Sequence, residues 1–143
     1  MVVDLRWSLR PATPSDAGWL ADLKAAVMRP DLERLGYWDR DWARGRFLDR
    51  YDPTVTSVIV LGADEVGCIA VRSERDHWWI EHFYLRPDAQ GRGLGGEVLR
   101  HVMAAREDGR PFVLALDRGS GVRRLYERHG VRPRPRRRRR QQC

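Results

Sequence analysis
The pattern of apolar and polar positions changes period several times along the chain, and each change marks an element. Residues 2–10 (VVDLRWSLR) alternate as a half-buried strand does. At 13–16 the chain reads TPSD: Thr13 suits an N-cap, Pro14 the first helical turn and Asp16 the reciprocal capping position. Leu20, Leu23 and Val27 follow at helical spacing. A second helical region is expected over 31–51, carrying Leu32, Leu35, Trp38, Trp42, Phe47 and Leu48, with Pro53 closing it. The period then drops to that of strands. TVTSVIVL (54–61), VGCIAVR (66–72) and HWWIEHFYL (77–85) are separated by the turns GADE and SERD, which predicts a three-stranded antiparallel meander.

Beyond the meander, Leu94, Val98 and Val102 form an i, i+4 stripe supported by Leu99 and Met103, and Gly109-Arg110-Pro111 ends that helix. PFVLALD (111–117) is a short continuous apolar run, as in a buried parallel strand. Val122, Leu125, Tyr126 and His129 mark a last amphipathic helix, stopped by Gly130. The predicted order is βααβββαβα followed by a tail. It describes one α/β (α+β) domain with a mixed, mostly antiparallel sheet flanked by helices, spanning residues 1–131, and a tail over 132–143.

Charge changes the picture mainly at the end of the chain. The formal net charge is +7, and residues 132–143 alone carry seven arginines and no acid, so residues 1–131 sum to zero. A neutral body gives no nucleic-acid footprint, so a nucleic-acid partner is expected only through the tail. Lys24 is the only lysine, a skew that GC-rich coding explains without arginine-specific chemistry. The 143 residues suffice to bury a core without disulfides or a structural metal. Cys68 and Cys143 lie in unrelated contexts with no metal-ligand spacing. No apolar run approaches the ~20 residues of a spanning helix, and the start has no signal-peptide core. A cytoplasmic protein with neither metal nor membrane association is expected.

The densest chemical signal is LRPDAQGRGLGG (85–96), with four glycines directly ahead of a predicted helix. Such glycines let backbone N–H groups close on a phosphate at a helix N-terminus. Two templates fit. Gly91, Gly93 and Gly96 satisfy the dinucleotide fingerprint G-x-G-x-x-G, with Asp117 a plausible ribose partner further on. Against it, RPDAQ separates the strand from Gly91, and too little chain follows Asp117 to complete a wound sheet. The other template, Q-x-x-G-x-G, is met by Gln90, Gly93 and Gly95.

With that second template the segment IEHFYLRPDAQGRGLGGEVLRHVM resembles the signature of the GNAT superfamily, the Gcn5-related N-acetyltransferases. RRLYERHGV (123–131) resembles the family's second landmark. The resemblance covers residues 5–131. It implies a GNAT-like fold and acyl transfer from acetyl-CoA, as co-substrate, to a primary amine by direct attack in a ternary complex. The pyrophosphate would dock on Gln90, Gly91, Arg92, Gly93, Leu94, Gly95 and Gly96. The pantetheine arm would pair with the backbones of Phe83, Tyr84 and Leu85, whose N–H groups would also face the thioester oxygen. Glu81, the one acid in its strand, stands where the family often places its general base. By alternation it shares a face with Trp79, Phe83 and Leu85, and burial is expected to raise its pKa toward the working pH. A paired structural glutamate is the other reading of Glu81. Tyr126 matches the usual general acid near the sulfur, and equally fits a core tyrosine. His82 is expected on the opposite face, in packing.

The sequence departs from the family in two places. Where many members have an asparagine bonding the pantetheine, GSG stands at 119–121, and Ser120 is the available substitute. After Gly130 the family normally runs two more strands. Here Val131 takes an aromatic's place and RPRPRRRRRQQC follows, a tail expected to be disordered because Pro133 and Pro135 interrupt a strand. Either the tail is a basic arm touching nucleic acid or an acidic partner, or the last coding stretch is frame-shifted or truncated. The second case exposes a sheet edge, which strand exchange in a homodimer would cover, and leaves a catalytically impaired or non-catalytic coenzyme A-binding module as the alternative function. The acceptor is a small-molecule or peptide amine, framed by the first two helices, where Trp38 and Trp42 with Asp39 or Asp41 could meet a cation; the same tryptophans also suit a core.

Overall fold
The computed structural model describes residues 6–116 and 123–135. One mixed sheet organises them, with six strands in the spatial order β1-β2-β3-β4-β5-β6. The strands are β1 (Trp7–Pro11), β2 (Thr56–Leu61), β3 (Asp64–Ser73), β4 (Trp78–Leu85), β5 (Phe112–Leu116) and β6 (Arg132–Pro135). The helices are α1 (Ala17–Arg34), α2 (Arg40–Leu48), α3 (Leu94–Ala104) and α4 (Arg123–Arg128). Strands β1 to β4 pair antiparallel in sequence order, whereas β5 joins β4, and β6 joins β5, in parallel. Those parallel joins are crossovers through α3 and α4, as parallel pairing requires.

The sheet is buried on both faces by helices, which is why β3 reads as a run of buried positions rather than an alternation. On one face Leu94, Val98, Leu99 and Val102 of α3 meet Ile59, Val66, Ile69, Ile80, Phe112 and Leu114, with Tyr126 and Val131 closing the cluster. On the other, Leu20, Ala21 and Leu23 of α1 and Phe47 of α2 pack on Cys68. Each such large side chain contributes on the order of 1.5–3 kcal/mol by leaving water. The stripe expected on α3 is therefore its core face. Asp16 holds the start of α1: its carboxylate accepts from the Thr13 N–H at 2.8 Å, as the capping pattern predicts.

Two boundaries differ from expectation. The helix begun near Asp16 runs on through Pro30 to Arg34, so residues 31–34 belong to α1 and not to the second helix. Pro30 and Ala26 are both exposed, and water can satisfy the carbonyl that the proline leaves unpaired. Gly36, at φ 79°, then ends the helix, with the Tyr37 N–H reaching back to the Leu32 carbonyl at 2.8 Å.

The second correction concerns the tail. Residues 132–135 pair with β5, Arg132 opposite Val113 and Pro135 opposite Leu116, rather than being unstructured from 132 onward. In an edge strand alternate N–H groups point away from the ladder, so two prolines spaced two apart can both sit where no donor is needed. Val131, buried just before, anchors the strand through its N–H to the Tyr126 carbonyl at 2.9 Å. Residues 136–143, which include the five adjacent arginines, lie outside the described residues. No described helix is long and apolar enough to cross a membrane.

Candidate active site
The site begins where β4 and β5 part. Their ladder joins Trp78, Trp79 and Ile80 to Phe112, Val113 and Leu114, and β4 then continues to Leu85. Past Ile80, the backbone groups of β4 that face the β5 side have no strand partner among the described residues. On its other side β4 carries a bulge: Ala70 opposes His82 while Val71 opposes Ile80, so Glu81 is the extra residue.

That bulge overturns the expected facing of Glu81. Ile80, Phe83 and Leu85 pack with the α3 cluster, whereas Tyr84 packs with the α1–α2 cluster and His82 lies 4.7 Å from the Phe47 ring. Glu81 turns toward the α2 side instead of joining Phe83 and Leu85. Its carboxylate is buried and accepts from Arg50 Nε at 2.6 Å through Oε1, and from Arg72 Nε through Oε2. The expected pKa shift is reversed as well. Burial pushes the carboxyl up, but the guanidiniums of Arg72 and Arg50 outweigh it, and Glu81 is held below its ordinary value. Both arginines went unnoticed in the sequence, because the contacts join β4 to the end of α2 and to β3 across 31 and 9 residues.

The glycine loop lies directly past the end of β4. Gly91 and Gly93 have φ of 77° and 81°, a region that disfavours any side chain, and open space surrounds both. Gly93 is the N-cap of α3, so the N–H groups of Leu94, Gly95 and Gly96 are first-turn donors without intrahelical acceptors. The Leu94 side chain is buried in the core, and Arg92 is exposed beside the loop. Gly96 does something different: a Cβ there would sit 3.3 Å from His129 Nε2, so its smallness lets α3 approach the end of α4. Gln90 Nε2 donates to the Leu85 carbonyl at 2.9 Å, tying loop to strand. Orphan N–H donors at a helix N-terminus, with an unpaired strand edge beside them, suit an extended ligand that bears phosphates.

Tyr126 of α4 is buried, with its ring edge-on to Phe83 at 6.2 Å, and burial pushes its phenol well above its ordinary value. Ser120 and Asp117 lie outside the described residues. Trp38 and Trp42 stand outside the two core clusters: Arg29 covers Trp38 at 5.1 Å, Arg46 covers the exposed Trp42 at 5.1 Å, and Asp39 caps α2 through the Trp42 N–H. Among the described residues no group of three or more His, Cys, Asp or Glu side chains is placed to hold a metal.

Similar architectures are known. A candidate acetyltransferase from Pyrococcus horikoshii superposes with a TM-score of 0.63 at 20% identity, covering 90% of this chain, which spans only 44% of that protein's length. A GNAT family acetyltransferase from Brucella melitensis, crystallised with acetyl-CoA, gives 0.58 at 22% identity, covering 87% of this chain and 82% of its own. An acetyltransferase from Thermus thermophilus gives 0.52 at 27% identity over 74% and 72%. No curated protein sequence matches. The sequence model of the acetyltransferase (GNAT) domain matches residues 54–133, which run from just ahead of β2 into β6 and take in the split strands, the glycine loop and Tyr126; the chain belongs to the GNAT acetyltransferase family.

Proposed function
We propose that this chain is an N-acetyltransferase that moves an acetyl group from acetyl-CoA to a primary amine while both are bound. One observation carries the reading: Gln90 ties the glycine loop, with the orphan N–H groups of α3, to the end of the β4 segment that lacks a strand partner on its β5 side. The Brucella melitensis neighbour holds acetyl-CoA, which supports the same donor here.

Acetyl-CoA supplies the activated thioester. The backbone N–H groups of Gly91 to Gly96 and the α3 dipole hold negative phosphate charge, with Arg92 adding to it. The N–H groups of Phe83 and Leu85, which alternate away from β3, stabilise charge growing on the carbonyl oxygen, while Tyr84 turns its backbone to β3. The amine nitrogen bonds to the carbonyl carbon as the carbon–sulfur bond breaks. The proton lost by nitrogen goes to Glu81, directly or through water, and Tyr126 gives one to the departing sulfur. From a neutral amine the net products are an amide and a thiol: the proton taken by Glu81 passes to solvent and Tyr126 regains one from solvent, so none is released overall.

The paired state of Glu81 specifically favours a second reading, a coenzyme A-binding module with little turnover, since a carboxylate held by two guanidiniums is a weak base. Calorimetric titration with acetyl-CoA followed by thiol release over a panel of amines separates the two. Tight binding with thiol release supports the transferase, and tight binding without release from any amine supports the module. Loss of turnover in Glu81→Gln with binding retained supports the proposed base. The basic-arm reading rests on the arginines of residues 132–143 and predicts that removing this tail abolishes RNA or DNA binding while the fold stays intact.

A further inference from the structure
We propose that the acceptor amine carries a neighbouring carboxylate, as an α-amino acid does, and that Arg50 is the residue that recognises it; this rests on the transferase reading above. The two arginines on Glu81 are held very differently. Arg72 is fixed at three points: to Glu81, to the Arg50 carbonyl at 3.2 Å and to Asp52 at 3.6 Å. Arg50 is held by its Nε alone, and its side chain is 64% exposed. Among the described residues its two terminal nitrogens make no hydrogen bond. A guanidinium in that state presents paired N–H donors that match a carboxylate.

These donors belong to an open polar recess lined by Asp49, Arg50, Tyr51, Asp52, Pro53 and Arg72, on the side of β4 toward which Glu81 turns. Most of the charge in the recess is already engaged. Asp52 accepts from the Thr54 N–H at 2.9 Å and the Thr54 hydroxyl at 2.6 Å and pairs with Arg72. What remains is the pair of terminal N–H groups of Arg50, whose charge is shared with Glu81 through Nε, and Asp49, whose carboxylate has no side-chain partner among the described residues. Open guanidinium donors beside an open carboxylate suit a zwitterion. The arrangement also couples recognition to chemistry: a substrate carboxylate that draws Arg50 away uncovers Oε1 of Glu81, the oxygen the amine proton needs, while Arg72 stays in place.

The test uses the full chain with glycine, L-leucine and L-glutamate, each paired with its α-amide, read by thiol release from acetyl-CoA and separately by calorimetric binding. The wild type is expected to favour acids over amides by about tenfold, the scale of one charge-assisted pair. Arg50→Gln should bring the ratio near one, Arg50→Lys should keep part of it, and Asp49→Asn should weaken acids and amides alike. An acid-to-amide ratio near one in the wild type, or a preference that survives in Arg50→Gln, overturns the proposal. Absence of acetyl-CoA binding and of thiol release sinks the transferase reading instead, and the binding arm then still decides whether Arg50 selects a carboxylate.

Discussion

Gln90 Nε2 and the Leu85 carbonyl oxygen are 2.9 Å apart, so the side chain that sets the register of the glycine loop is bonded to the last residue of β4. That bond ties the glycine loop to the strand edge beside it. Removing the amide in Gln90→Ala gives up about 1 kcal/mol of net hydrogen bonding, expected as roughly fivefold weaker acetyl-CoA binding by calorimetry. Gln90→Glu should be worse, because a carboxylate then faces a carbonyl oxygen. Unchanged affinity in both variants would mean that the loop keeps its shape without this tie.

Two glycine-to-alanine changes should move stability in opposite directions. A Cβ on Gly67 of β3 would run into the Tyr84 carbonyl oxygen across the ladder, in the strand segment that leads into the glycine loop. Backbone has to shift to relieve that contact, and Gly67→Ala is expected to cost about 3 kcal/mol, with acetyl-CoA binding weakened alongside. Gly45, inside α2, has open space where its Cβ would lie. Gly45→Ala should stabilise by about 0.5–1 kcal/mol, since alanine loses less chain entropy in a helix. Thermal unfolding of the two variants beside the wild type checks both signs.

Periodicity made most of this fold legible, because α1 and α3 each turn apolar side chains onto one face of the sheet. Leu94, Val98 and Val102 are on the core face of α3 as their spacing implies, and the loop ahead of them is recognisable from its glycines alone. What the pattern could not carry was local irregularity. A single extra residue in β4 reverses the facing of everything between Glu81 and its end, and no letter in HWWIEHFYL announces it. Glu81 consequently meets Arg50 and Arg72, contacts that depend on where α2 ends in space. The prolines of β6 misled for a related reason: they forbid a central strand, and only the sheet order shows that this strand is at an edge. Gly36 was readable as a helix stop, which would have separated α1 from α2 correctly.

Asp16 should give the protein a specific acid sensitivity. Its buried carboxylate accepts from both Arg10 terminal nitrogens at 3.0 and 2.8 Å, from Trp19 Nε1 at 2.8 Å and from the Thr13 N–H at 2.8 Å. The Arg10 bonds chiefly, against the opposing effect of burial, hold it well below its ordinary value. A carboxyl depressed in the folded state contributes stability that is complete above its unfolded value, about pH 4, and is lost as pH falls toward the folded one. Asp16→Asn is expected to lower stability at neutral pH by about 2 kcal/mol and to flatten the decline below about pH 4. Denaturant titrations at neutral and acid pH measure both effects; an unchanged acid slope would assign that sensitivity to other carboxylates.

Tyr126 can be tested as the proton donor because its surroundings separate the roles of ring and hydroxyl. The ring is buried against Phe83 at 6.2 Å, and phenylalanine preserves that packing. Burial pushes the phenol above its ordinary value, so it stays protonated across the range in which the enzyme would work. Two expectations follow for turnover measured by thiol release. The pH profile of wild-type kcat should show no descending limb from this group below about pH 10, the ordinary tyrosine value. Tyr126→Phe should lower kcat by about a hundredfold, the lower end of what a positioned acid supplies. Acetyl-CoA affinity, read separately by calorimetry, should change far less, because the proposed contacts to it lie in α3 and β4. Wild-type kcat in Tyr126→Phe would mean that the thiolate takes its proton from solvent and that Tyr126 serves the core alone.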